Sequence, residues 1–103
     1  MGGVLHKEMK ILPWDYYDKP GSMSHELFKN LIDLSAINSK KVIYALEGYF
    51  VHGLSRKDVC KRYDVSQGYL SISLRKIERV NHVVSNLIPF YIKTSTNNGD
   101  KLT

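Results

Sequence analysis

Ser55 to Val80 reads SRKDVCKRYDVSQGYLSISLRKIERV, and two helical patterns meet in it across a turn too short to let them pack antiparallel. Ser55 is suited to cap a helix. Asp58, three residues on, is an acidic near-match to a capping box and also suits the positive end of the helix dipole. The first pattern runs through Val59 and Cys60 to about Arg62. Tyr63, Asp64 and Val65 then form the turn, and Asp64 tolerates the left-handed backbone such turns need. Ser66 caps the second pattern, in which Leu70, Leu74 and Ile77 fall at i, i+4 and i+7 and can close a small core with Val59, Tyr63 and Val65. The opposite face presents Ser66, Gln67, Ser71, Arg75 and Lys76. This stretch reads as a helix-turn-helix.

Outward from it, the chain predicts a small all-α domain of four to five helices. Pro20 and Gly21 punctuate the sequence, after which Ser22 or Ser24 can cap a helix carrying Leu27, Phe28, Leu31, Ile32 and Leu34 at helical spacing. A second helix begins near Ser39, with Val42, Ile43, Leu46, Tyr49 and Phe50 in register and Gly53 as a stop. Beyond Val80 the apolar period continues through Val83, Val84, Leu87 and Ile88 to Pro89, so the last helix either extends or kinks near Asn81. The spacing shows no internal repeat and no alternation that would make a sheet.

This reading divides the chain into a flexible arm at 1–20, a DNA-binding and oligomerisation domain at 21–92, and a disordered tail at 93–103. The arm holds Trp14, Tyr16 and Tyr17, which either dock on the domain, meet a neighbouring subunit or touch nucleic acid. From Thr94 onward TSTNNGDKLT lacks apolar period and aromatic residues.

A chain of 103 residues suits one domain, and at this size only roughly 60 to 65% of the unfolded surface is buried. Association of copies is a natural way to add buried area. Fifteen basic against ten acidic residues give +5, which favours a polyanionic partner. Between Ser55 and His82 stand seven basic residues, Arg56, Lys57, Lys61, Arg62, Arg75, Lys76 and Arg79, against Asp58, Asp64 and Glu78, a local balance of +4. Most of the excess charge therefore sits on the motif.

A lone cysteine, Cys60, excludes an internal disulfide framework and a multi-cysteine zinc site within one chain, and fits a reducing cytosol. It falls on the inward side of its helix, as packing. No apolar run reaches the roughly 18 to 20 residues of a membrane span, and the N-terminus lacks the apolar core of a signal peptide. His6, His25, His52 and His82 are scattered, with no shared metal spacing, and read as surface residues. There is no phosphate loop, nucleophile elbow or paired-carboxylate arrangement, so neither an enzyme nor a cofactor nor a small-molecule ligand is expected.

The motif's chemistry suits double-stranded DNA. Arg56, Lys57, and Lys61 or Arg62 on the first helix are placed for phosphates and would supply affinity and salt dependence. Ser66, Gln67 and Ser71 on the leading turns of the second helix are short hydrogen-bonding groups for base or sugar edges. Arg75, Lys76 and Arg79, farther along, would track the backbone. Gly68 is either a tolerated defect or room for a DNA backbone or a neighbouring helix. The alternative is a non-catalytic helical module that contacts another regulator through the same face.

The blocks PGSMSHELFKNLI (Pro20 to Ile32), SRKDVCKRY (Ser55 to Tyr63) and GYLS (Gly68 to Ser71), with Pro89, Phe90 and Tyr91 at the end, resemble the PapB family of enterobacterial regulators of fimbrial adhesin operons. The resemblance runs from about Pro20 to Tyr91, outside the arm and tail. It implies an all-helical cytoplasmic, nucleoid-associated transcription regulator that assembles as a homo-oligomer along AT-rich promoter DNA, with minor-groove contacts of the kind arginine makes in narrow A-T grooves. It supports Arg56 as a DNA contact and Cys60 as structurally important. Ser66, Gln67, Arg75 and Lys76 depart from the best-known members, on the helix where site preference would be set.

Overall fold

In the computed structural model the described residues are 17–101, with side chains described for 17–92. Four helices follow in order: α1 (His25–Ser35), α2 (Lys40–Phe50), α3 (Arg56–Tyr63) and α4 (Gln67–Lys101). All described regular structure is helical.

Short polar side chains set the helix starts. Ser24 Oγ accepts from Leu27 N at 3.1 Å, Ser55 Oγ from Asp58 N at 3.0 Å, and Ser66 Oγ from Tyr69 N at 3.1 Å, each satisfying a backbone donor that the first turn leaves unpaired. Of the two serines offered by the sequence for α1, Ser24 is the cap; Ser22 instead donates to Lys19 O. Left-handed residues end the helices. Ala36 (φ 61°) follows α1, and Asp64 (φ 55°) follows α3 as its sequence position implies. Helix α2 ends at Phe50, with Val51 N and His52 N both donating to Glu47 O, and Gly53 (φ 77°) turns the chain toward α3.

Helix α2 lies at the centre. Its Val42, Ala45, Leu46 and Phe50 are fully buried, and it packs against α1, α3 and α4. Around it close Phe28, Leu31 and Ile32 of α1, Val59 of α3, Val65 of the turn, and Leu70, Leu74 and Ile77 of α4. Tyr63, expected in this core, packs at its edge, half-buried. Leu34, counted with the apolar positions of α1, is exposed, because at about 100° per residue it falls at the edge of the buried stripe of Phe28, Leu31, Ile32 and Ser35.

Helix α4 continues through Asn81, which is buried, and carries Pro89 inside it. Proline removes one rung of the helix ladder without ending the helix here. The backbone stays helical through residues 93–101, which composition assigned to a disordered tail; the side chains from 93 onward lie outside the described residues.

The start of the described chain is docked on the end of α2. Tyr49 Oη donates to Asp18 O at 3.0 Å, Gly21 N to Tyr49 O at 2.8 Å, and Met23 N to Phe50 O at 2.9 Å. Gly21 (φ 69°) crosses Gly53 so closely that a Cβ on Gly21 would stand 3.2 Å from Gly53 Cα. Tyr17 packs against the core, so residues 17–20 of the expected arm belong to the folded body; Trp14 and Tyr16 lie outside the described residues.

Candidate nucleic-acid interface

Helices α3 and α4 are joined by Asp64, Val65 and Ser66 alone. Val65 N donates to Cys60 O, closing the turn, while the Val65 side chain is buried and pins it to the core. Two short helix ends are thereby held side by side with their polar faces outward.

All seven basic residues of this stretch are exposed: Arg56, Lys57, Lys61 and Arg62 on α3, and Arg75, Lys76 and Arg79 on α4. Charged heads keep their hydration while Val59, Leu70, Leu74 and Ile77 take the inner face. Gln67 is also exposed, at the first turn of α4. Ser66 is exposed, but its hydroxyl caps α4. Ser71, expected on the outer face, is half-buried, because it follows Leu70 at the border of the buried stripe. A Cβ on Gly68 would meet no atom within 4 Å, so no helix of the described fold needs that space.

The two helices share more than a turn. The Arg56 guanidinium lies 5.8 Å from the centre of the Tyr49 ring, a cation–π contact that orients a long side chain from below. Tyr49 in turn stands edge-on to Phe50 at 5.0 Å, so the ring is held by the core. Glu78 of α4 is half-buried. Burial pushes its carboxyl above the usual range and the nearby Asp18 adds to the rise, whereas the positive charges of Arg56 and Arg75 oppose it. An open hollow along α4 is lined by Ile72, Arg75, Lys76, Glu78, Arg79 and His82. Sequence reading missed Glu78 as a member of this surface and Tyr49 as the buried ring beneath Arg56; for Glu78 the i, i+3 spacing from Arg75 was the available signal.

Cys60 is half-buried against the core and burial raises its thiol, in keeping with packing. His25 and His52 are exposed and converge on Glu47, whose Oε2 lies 3.3 Å and 3.8 Å from their Nε2 atoms, a convergence that their sequence scatter hid. Among the described residues no trio of His, Cys, Asp or Glu is arranged to hold a metal ion, and His6 lies outside them. No described helix is long and apolar enough to cross a membrane.

Comparison with known proteins connects this geometry to a family. The model of the PapB family, adhesin biosynthesis transcription regulatory protein, matches residues 2–91. The chain belongs to that family. The match begins at residue 2 rather than near Pro20, so the arm is part of the family pattern, contrary to the narrower extent read from the motif blocks. The chain is 43% identical over 77 residues to the major pilus subunit operon regulatory protein PapB of Escherichia coli, covering 75% of this chain and 74% of that protein. It is 42% identical over 84 residues to the regulatory protein FanB of E. coli, covering 81% and 85%. The crystal structure of E. coli FocB superposes with a TM-score of 0.71 at 38% identity, covering 88% of this chain and 99% of that one.

Proposed function

We propose that the chain is a non-catalytic DNA-binding transcription regulator of a fimbrial or adhesin operon, docking on AT-rich promoter DNA through α3 and α4 as a helix-turn-helix and acting as a homo-oligomer in the bacterial cytoplasm. The observation that carries the reading is the exposed basic face across two helices held by a three-residue turn. Arg56, Lys57, Lys61 and Arg62 contact phosphates from α3; Gln67, with Ser66 and Ser71 at the edges, faces the groove; Arg75, Lys76 and Arg79 follow the backbone. Membership in a family of adhesin biosynthesis regulators supports the operon class. Oligomerisation is supported by apolar side chains that the monomer leaves exposed on the later turns of α4, Val83 and Leu87 among them.

The test compares Arg56→Ala with Gln67→Ala across several duplex sequences by mobility shift. Arg56→Ala weakens every complex by a similar factor, whereas Gln67→Ala changes the ranking of sequences more than the mean affinity. Equal behaviour of the two variants contradicts these roles. Binding to a protein partner that persists in high salt, with no shift of AT-rich DNA at micromolar protein, favours an interaction module instead.

A further inference from the structure

Arg56 differs from the other basic residues of α3 in what lies beneath it. Its guanidinium stands 5.8 Å from the centre of the Tyr49 ring, while among the described residues no ring underlies Lys57, Lys61 or Arg62. Tyr49 is 5% exposed and Arg56 is exposed, so the charge sits on the rim of the core with solvent on its far side. A ring face attracts a cation without using any of its N–H donors, and among the described residues Arg56 enters no hydrogen bond or ion pair. Tyr49 is itself held at three points: its Oη donates to Asp18 O at 3.0 Å, its carbonyl oxygen accepts from Gly21 N at 2.8 Å, and Phe50 stands edge-on to it at 5.0 Å. Two of the three belong to the segment before α1, which Met23 N fastens again to Phe50 O at 2.9 Å.

We propose that Tyr49 is a positioning residue for DNA binding, through which the docked residues 17–23 set the grip of Arg56 on phosphate without touching DNA themselves. The inference rests on the reading of α3 and α4 as the DNA-binding face. A free arginine side chain samples many rotamers and gives most of them up when it grips a phosphate. A guanidinium already seated over a ring gives up fewer, and its N–H donors remain for the phosphate oxygens. The seat works only while the ring stays in place, and the hold on the ring comes from outside the motif, since Asp18 and Gly21 stand 38 and 35 positions before Arg56. Loosening the segment therefore loosens Arg56 and leaves Lys57, Lys61 and Arg62 as they were.

The experiment is a set of double-mutant cycles on the full chain, read by fluorescence anisotropy of a labelled AT-rich duplex at fixed ionic strength, with urea denaturation establishing that each variant is folded under the titration conditions. Tyr49→Leu, Tyr49→Phe and Gly21→Ala are each made alone, with Arg56→Ala and with Lys61→Ala. Tyr49→Leu removes the ring and weakens binding by about 3- to 10-fold, and Tyr49→Phe, which keeps the ring, recovers most of that loss. Gly21→Ala places a Cβ 3.2 Å from Gly53 Cα on a backbone at φ 69°, displaces the segment, and weakens binding by about 2- to 5-fold. These losses vanish in the Arg56→Ala background and persist in the Lys61→Ala background. The inference is overturned if Tyr49→Leu or Gly21→Ala costs as much affinity with Arg56→Ala as without it, the mark of a general weakening of the fold, or if a folded Gly21→Ala binds as tightly as wild type. Should Tyr49→Leu not fold, the Gly21→Ala cycle decides. An overturning result with wild-type binding intact leaves the DNA-binding reading standing, whereas a wild type that binds no DNA in low salt removes that reading and this inference with it.

Discussion

Arg56 is fixed more firmly than its neighbours. It follows the cap of α3, lies over Tyr49, and shares the field of Glu78 with Arg75. That the basic side chains face outward could be read from spacing alone, because hydration forces them there once Val59, Leu70, Leu74 and Ile77 turn inward. The partner of Arg56 could not, since Tyr49 stands 7 positions away and only the packing of α2 against α3 brings the two together. Glu78 also affects the fold. The folded state holds its proton more tightly than the unfolded chain, so Glu78 favours folding below the ordinary glutamate range and opposes it as pH rises through the raised folded value. Gly68 supplies a separate test. Its open surroundings mean Gly68→Ala raises stability by a few tenths to about 1 kcal/mol in chemical denaturation, while the added methyl weakens DNA binding if a phosphate backbone approaches there. Unchanged DNA affinity would leave Gly68 a tolerated weakness of the first turn.

The helices themselves follow local chemistry closely. Ser24, Ser55 and Ser66 cap, Asp64 takes the left-handed position, and the i, i+3, i+4 apolar pattern of α2 places Val42, Leu46 and Phe50 in the core. Local chemistry fails where burial depends on a neighbour. Leu34 continues the apolar sequence of α1 yet meets nothing on its side, and Val83 and Leu87 keep the period of α4 after the other helices have ended. The contact of α2 with α3 turns on Gly48. A Cβ there would stand 3.0 Å from Val59 Cγ1 and 3.3 Å from Leu54 Cδ1. Gly48→Ala improves helix propensity but pushes α3 outward, and is expected to destabilise the fold by about 1 to 3 kcal/mol net of that gain. A rise in midpoint denaturant concentration would show that Val59 and Leu54 yield freely, and that α3 is held less tightly than the distances imply.

The molecule as a whole combines a small core around α2, a basic face across α3 and α4, and a long α4 whose later turns carry exposed apolar residues. The core and the charge follow from composition and period. The length of α4 does not, because Pro89 and the polar sequence after Thr94 argue for an earlier end, and proline inside a helix costs about 3 kcal/mol unless the rest of the helix supports it. If this assembly is a DNA-binding regulator, affinity comes first from counterion release by the seven exposed basic residues. Titration of an AT-rich promoter duplex against the full chain in increasing salt should then give a linear fall of log affinity with log salt, at about 0.9 per phosphate neutralised, and therefore a slope of several units. A complex whose affinity is indifferent to salt, or no complex at micromolar protein in low salt, would contradict the assignment of this face to DNA.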